Sequence, residues 1–177
     1  MAVMEAIQTI YLEADTAIVE ITSIPSTYQH LQLQISGRST AGDVGFEIVY
    51  FQFGTGGSAA DNSDFYSRHY QRGSGTYTPS AYFYADTGYI SPARLVKKWE
   101  YGGNYSPSTM DIMNYSNTNM NTALTFISYA PSSETNREVG FGSSLWRKTP
   151  VVDRIKIALA ASWARGSSFN LYGWNDS

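Results

Sequence analysis

The sequence predicts an all-β protein: an antiparallel β-sandwich with the expected connectivity of a jelly roll, built from about ten short strands. Three observations carry this. Apolar and polar residues alternate along several segments, β-branched and aromatic residues dominate others, and loops dense in Gly, Ser, Asn and Pro separate them with few helical segments between. The chain has 177 residues, which suits a single domain able to bury a substantial core.

Taken in order, Ala6 to Leu12 is a β-rich candidate, and Ala17, Val19 and Ile21 alternate with Glu20 and Thr22. In Tyr28 to Ser36, Leu31, Leu33 and Ile35 alternate with Gln32, Gln34 and Ser36, the period of a half-buried strand. Pro25 stands before that ladder, where its missing N–H does no harm. Val44 to Phe53 carries apolar or aromatic residues in both parities, the pattern of a central strand covered on both faces. More polar candidates follow at Phe65–Gln71, Ser80–Ala85 and Tyr89–Lys97. Thr109–Tyr115, Thr122–Tyr129 and Val139–Trp146 are rich in β-branched and aromatic side chains, and further strands are expected at Val151–Leu159 and Ser168–Trp174. From Val151 to Trp163 the apolar spacing fits a helix through Val151, Ile155, Leu159 and Trp163, and equally a strand through Ile155, Ile157 and Leu159. Residues 16–177 form one expected β-sandwich domain, with residues 1–15 either an N-terminal arm or an ordinary edge strand.

Composition excludes several functions. Twelve Lys and Arg against a net charge of −3 leave no basic stripe for phosphates, so no nucleic-acid partner is expected. No run of 18 apolar residues is present and Met1 to Asp15 does not read as a secretory signal, so no membrane association is expected. The absence of cysteine removes disulfides, thiolate metal sites and thiol nucleophiles.

The motifs that resemble reactive sites fail on context. Gly54, Gly56 and Ala59 have the spacing of a dinucleotide-binding turn, but no amphipathic helix follows to hold a pyrophosphate. No Gly-x-Ser-x-Gly elbow accompanies the two histidines, His30 and His69. Glu47, Glu100 and Asp111 lie near aromatic residues, without a spacing that pairs them for glycoside hydrolysis. Asp61, Ser63 and Asp64 offer oxygens to a hard cation, yet they lack the EF-hand pattern and read equally as a turn. No catalytic residue, cofactor or metal site is expected, and the protein is expected not to be an enzyme.

The conspicuous excess is aromatic. Of 14 tyrosines, Tyr66, Tyr70, Tyr77, Tyr82, Tyr84 and Tyr89 crowd a middle segment poor in Leu, Ile and Val. Tyrosine buries a large ring while its hydroxyl stays hydrogen-bonded, which suits both interfaces and sugar-stacking surfaces. These six are the candidate partner or receptor contacts; the alternative places them over strand faces inside the monomer.

The segment Ile24 to Leu33 fits the pattern IPxTYxxLxL, and with its flanks, Ile21 to Arg38, it resembles the opening strand pair of small tailed-bacteriophage virion proteins. The C-terminal stretch Trp163 to Trp174, containing SxFxLYG, is similar to the signature that ends members of that group. Asp111 to Tyr115 resembles its mid-chain element, and Leu145, Trp146 and Val152 to Leu159 resemble another shared stretch. The resemblance spans residues 16–174 apart from Gly54 to Gly103. It implies that Ile155–Leu159 is a strand with Ala160–Ser167 as its hairpin connection, and that both end motifs are scaffold. It brings no catalytic residues with it. The function it implies is a non-enzymatic structural protein on the virion surface, assembled in the host cytoplasm: a capsid decoration (cement) protein stabilising the head. The alternative is a globular component of a tail or head fibre that binds a host glycan or receptor. The expected partners are further copies of the chain, as a homotrimer, and the major capsid protein or tail and fibre proteins. No coiled-coil heptad or repetitive shaft argues for a stand-alone fibre.

Overall fold

The computed structural model describes residues 3–42, 46–56, 65–73, 80–87, 89, 94–96, 104–131 and 137–176, with backbone placement alone for 65–73, 80–87, 94–96, 131 and 137. Among these residues the chain forms strands and no helix. They are β1 (Glu5–Tyr11), β2 (Thr16–Thr22), β3 (His30–Gly37), β4 (Phe46–Ile48), β5 (Tyr50–Gly54), β6 (Phe65–Gly73), β7 (Ser80–Thr87), β8 (Arg94–Val96), β9 (Ser106–Met113), β10 (Thr122–Pro131), β11 (Arg137–Trp146), β12 (Arg154–Trp163) and β13 (Ser168–Trp174). An eight-stranded sheet, in the order β1-β13-β3-β9-β10-β11-β6-β7, packs against a three-stranded sheet, β2-β12-β5, and β4 pairs with β8 separately. Every pairing is antiparallel. The β-sandwich expected from the sequence is therefore present. Its strands outnumber the expected ten, and the eight-and-three division does not spell out the jelly-roll connectivity, a design of eight strands in two sheets.

Alternation builds the core. Leu31, Leu33 and Ile35 of β3, Met110 and Ile112 of β9, Leu124 and Phe126 of β10, and Phe169 and Leu171 of β13 face inward from the large sheet. Val19, Ile21, Phe51, Phe53, Ile155 and Ile157 meet them from the small one. The two end motifs, distant in sequence, lie side by side in the large sheet, with Phe169 opposite Ile35 and Leu171 opposite Leu33. β1 occupies the edge beyond β13, with Thr9 opposite Asn170.

Two expected connections differ. β12 is a strand, but it runs to Trp163 and does not form a hairpin with β13: the chain crosses from the small sheet to the large one through a tight turn at 164–167. Ser167 N–H donates to the Ala164 carbonyl there at 3.1 Å, and Gly166 adopts φ of 90°, a conformation that glycine reaches without steric penalty. β2 and β3 likewise lie in different sheets and do not pair. The segment Val44 to Phe53 also departs from the expected central strand. It breaks at Val49 into β4 and β5, and β5 lies at the edge of its sheet. Its aromatic content in both parities arises because Val49, Phe51 and Phe53 are fully buried while Phe46 and Tyr50 cover the outside only in part.

Trp163 closes one end of the core. It is fully buried, meets Phe169 edge to face at 4.8 Å between centroids, and lies so close to Gly37 that a Cβ there would stand 2.5 Å from its Cζ3.

At the other end, buried Tyr115 donates its hydroxyl to the Pro25 carbonyl. Burial raises its ionisation above the usual value of 10.0. The unfolded chain then loses this proton before the folded one, so the tyrosine's contribution is complete below the ordinary tyrosine value and is lost as pH rises through the folded value. Tyr115→Phe is expected to cost about 1 kcal/mol near neutrality through the lost hydrogen bond. It is also expected to flatten the fall in urea midpoint measured from about pH 9 to about pH 11.

Candidate interaction surface

The small sheets cover one face of the large sheet, and its other face points outward. Two kinds of chemistry occupy that outward face. Over β13, β3 and β9 it is polar and internally bonded: Gln32 Nε2 donates to Asp111 Oδ1 at 2.8 Å, and Gln34 Nε2 donates to Gln32 Oε1 at 2.7 Å. At the edge, Thr9 Oγ1 donates to Asn170 Oδ1 at 3.0 Å. Over β10 and β11 it turns apolar. Ile127 is 56% exposed and stands opposite Phe141, 49% exposed, while Tyr129 stands opposite Val139 in a neighbouring row. A shallow groove of about 200 Å³ runs between Pro107–Thr109 and Ile127–Tyr129.

Of the six candidate tyrosines, the five that lie among the described residues do not share one row. Tyr66 and Tyr70 lie in β6, in register with Leu145 and Phe141 of the outward rows. Tyr82 and Tyr84 lie in β7 opposite His69 and Ser67, and these stand opposite Gly142 and the buried Ser144. The two pairs therefore fall on rows of opposite parity. Tyr77 lies outside the described residues. Tyr89 is 43% exposed and meets Tyr50 of β5 edge to face at 4.7 Å, away from the large sheet.

Ile127, Val139 and Phe141 do not stand out in the sequence as surface residues. The available signal was the adjacent pair Phe126 and Ile127, apolar in both parities of a strand that has a covered inner face.

Of the residues weighed for catalysis, His30, Glu47 and Asp111 make contacts with neighbouring strands and turns. His30 is buried, its Nδ1 accepts the Asn114 N–H at 3.2 Å, and its Nε2 lies 3.3 Å from Asp176 Oδ2. An Nδ1 that accepts leaves the proton on Nε2, facing the carboxylate, so both nitrogens hold the ends of β3, β9 and β13 together. Glu47 is buried and accepts the Ala161 N–H at 3.3 Å, with Ser39 Oγ at 3.5 Å. Asp111 lies on the outward face of the other sheet, so the two carboxylates do not share a site. Glu100, Asp61, Ser63 and Asp64 lie outside the described residues, as do Gly57 to Ala59 of the glycine-rich turn. Among the described residues no group of three or more His, Asp or Glu is placed to hold a metal ion.

No protein-family model, curated protein or solved structure matches this chain.

Proposed function

We propose that this chain is a non-enzymatic structural protein of a tailed-bacteriophage virion, acting as a capsid decoration protein that binds the outside of the head and stabilises it. The observation that carries the reading is the wide outward face of the eight-stranded sheet, on which Ile127, Val139 and Phe141 are exposed beside a self-bonded amide ladder. A protein whose work is contact needs such a face on a body that does not deform. The two end motifs that resemble the virion group supply that body, since they pair with one another as β3 and β13. On this reading the working form is a closed homo-oligomer on the particle surface.

The test adds purified protein to particles that lack it. Regular occupancy of the head, seen by imaging, with a higher temperature of head disruption, is the expected result. A protein that ignores the head and instead joins the tail or binds the bacterial envelope would replace this reading with that of a receptor-binding appendage.

A further inference from the structure

We propose that the outward face of the large sheet, from β1 across to β11, is the surface on which a second copy of this chain docks. This deepens the structural, non-enzymatic reading given above by naming the contact between copies.

Size is the first argument. Six strands about 4.8 Å apart, each of some seven residues rising about 3.3 Å, present a face of roughly 700 Å². A stable interface needs about 800 Å² from each partner, so the face is of that order.

Charge is the second. In the outward rows of β1, β13, β3, β9, β10 and β11 the charged residues are few: Asp111 in β9 and, by register at the end of β11, Arg137. Depletion of charge with retention of aromatic and aliphatic side chains marks the centre of protein interfaces. The outward face of the small sheet differs, presenting Glu20, Arg154 and Lys156, with Arg154 Nη1 3.6 Å from Glu20 Oε2. A face so sparse in charge has little by which to select a foreign partner electrostatically, and it meets its own copy with little like-charge repulsion.

Desolvation is the third. The amides that would be covered already have partners: Gln32 with Asp111, Gln34 with Gln32, and Asn170 with Thr9. Covering them strands fewer donors and acceptors than covering free amides would. The gain comes from Ile127, Phe141 and Val139, which remain wet in the monomer.

The experiment is the solution mass by light scattering at tens of micromolar, on the order of a weak interface's dissociation constant. Four proteins are compared: the wild type, the double variant Ile127→Lys with Phe141→Lys, the single variant Thr125→Arg at an exposed position of β10, and Ile18→Lys on the outward face of the small sheet. Circular dichroism reports whether each is folded. The wild type and Ile18→Lys are expected to be oligomers, and the double variant a folded monomer whose self-association is weaker by about 100-fold or more. Thr125→Arg carries the same expectation if the double variant does not fold.

A monomeric wild type would overturn the proposal, as would an oligomer indifferent to both large-sheet variants or one broken by Ile18→Lys. A monomeric wild type that binds particles through this face would assign it to another virion protein and also overturn self-association. An oligomer that dissociates as expected, yet never binds particles, would sustain the docking face and count against the virion reading alone.

Discussion

Replacing Trp163 by alanine is expected to destabilise the domain by about 3–5 kcal/mol, the range for truncating a buried aromatic side chain. The ring is fully buried at the end of β12, meets Phe169 edge to face, and lies beneath the backbone of Gly37, so three elements lose their shared contact together. The surroundings have little freedom to collapse into the void. Trp163 is bridged to Ser39 in an isolated pairing, and the next residue, Ala164, donates its N–H to the Arg38 carbonyl at 2.8 Å. A domain of ordinary stability holds only about 5–15 kcal/mol in total. The check is a urea titration: a large fall in midpoint with an unchanged slope is the expected outcome. A midpoint within experimental error of the wild type would show that this end of the core does not bear on stability.

The second large effect is at Gly37. Alanine there would place its Cβ 2.5 Å from Trp163 Cζ3 and 3.0 Å from Cε3, closer than carbon atoms approach. The far ring edge belongs to a rigid bicycle pinned against Phe169, so relief requires moving the backbone of β3 or β12. A cost of about 1–3 kcal/mol is expected, as for other overpacked cores. The mechanism makes a sharper demand than the magnitude. In a Trp163→Leu background the clashing atoms are gone, so Gly37→Ala is expected to become nearly neutral, and the double-mutant cycle is expected to show strong coupling. Equal costs in the two backgrounds would show that the alanine acts on the strand itself.

Much of the fold was legible where one face of a strand is buried. In β3 and β13 strict alternation placed Leu31, Leu33, Ile35, Phe169 and Leu171 inward, because period-2 spacing translates directly into sidedness. Alternation does not say which sheet a strand joins. That is why β12 to β13 read as a hairpin, although the chain crosses between sheets at Ala164 to Ser167. The break between β4 and β5 had no signal either: Val49 is a good strand residue and no glycine or proline marks the place.

The candidate surface was less legible. The tyrosines drew attention by crowding in sequence, but strand alternation and the register between β6 and β7 separate Tyr66 and Tyr70 from Tyr82 and Tyr84. Ile127 and Phe141 were inconspicuous because each lies among residues that are apolar for core reasons. Their meeting depends on the register of β10 against β11, which no local pattern encodes.

The position of β13 has a consequence for how the chain reaches this state. It lies between β1 and β3, two strands made more than a hundred residues earlier, and keeps them from pairing with each other. During synthesis the large sheet therefore cannot grow outward from its first strands: β1 has no neighbour until the segment from Ser168 to Trp174 arrives and slots in. Contacts of such long sequence separation are slow to form because loop closure must come before any reward. Closing this edge is thus a late event, in which segments far apart along the chain are sewn into one sheet border.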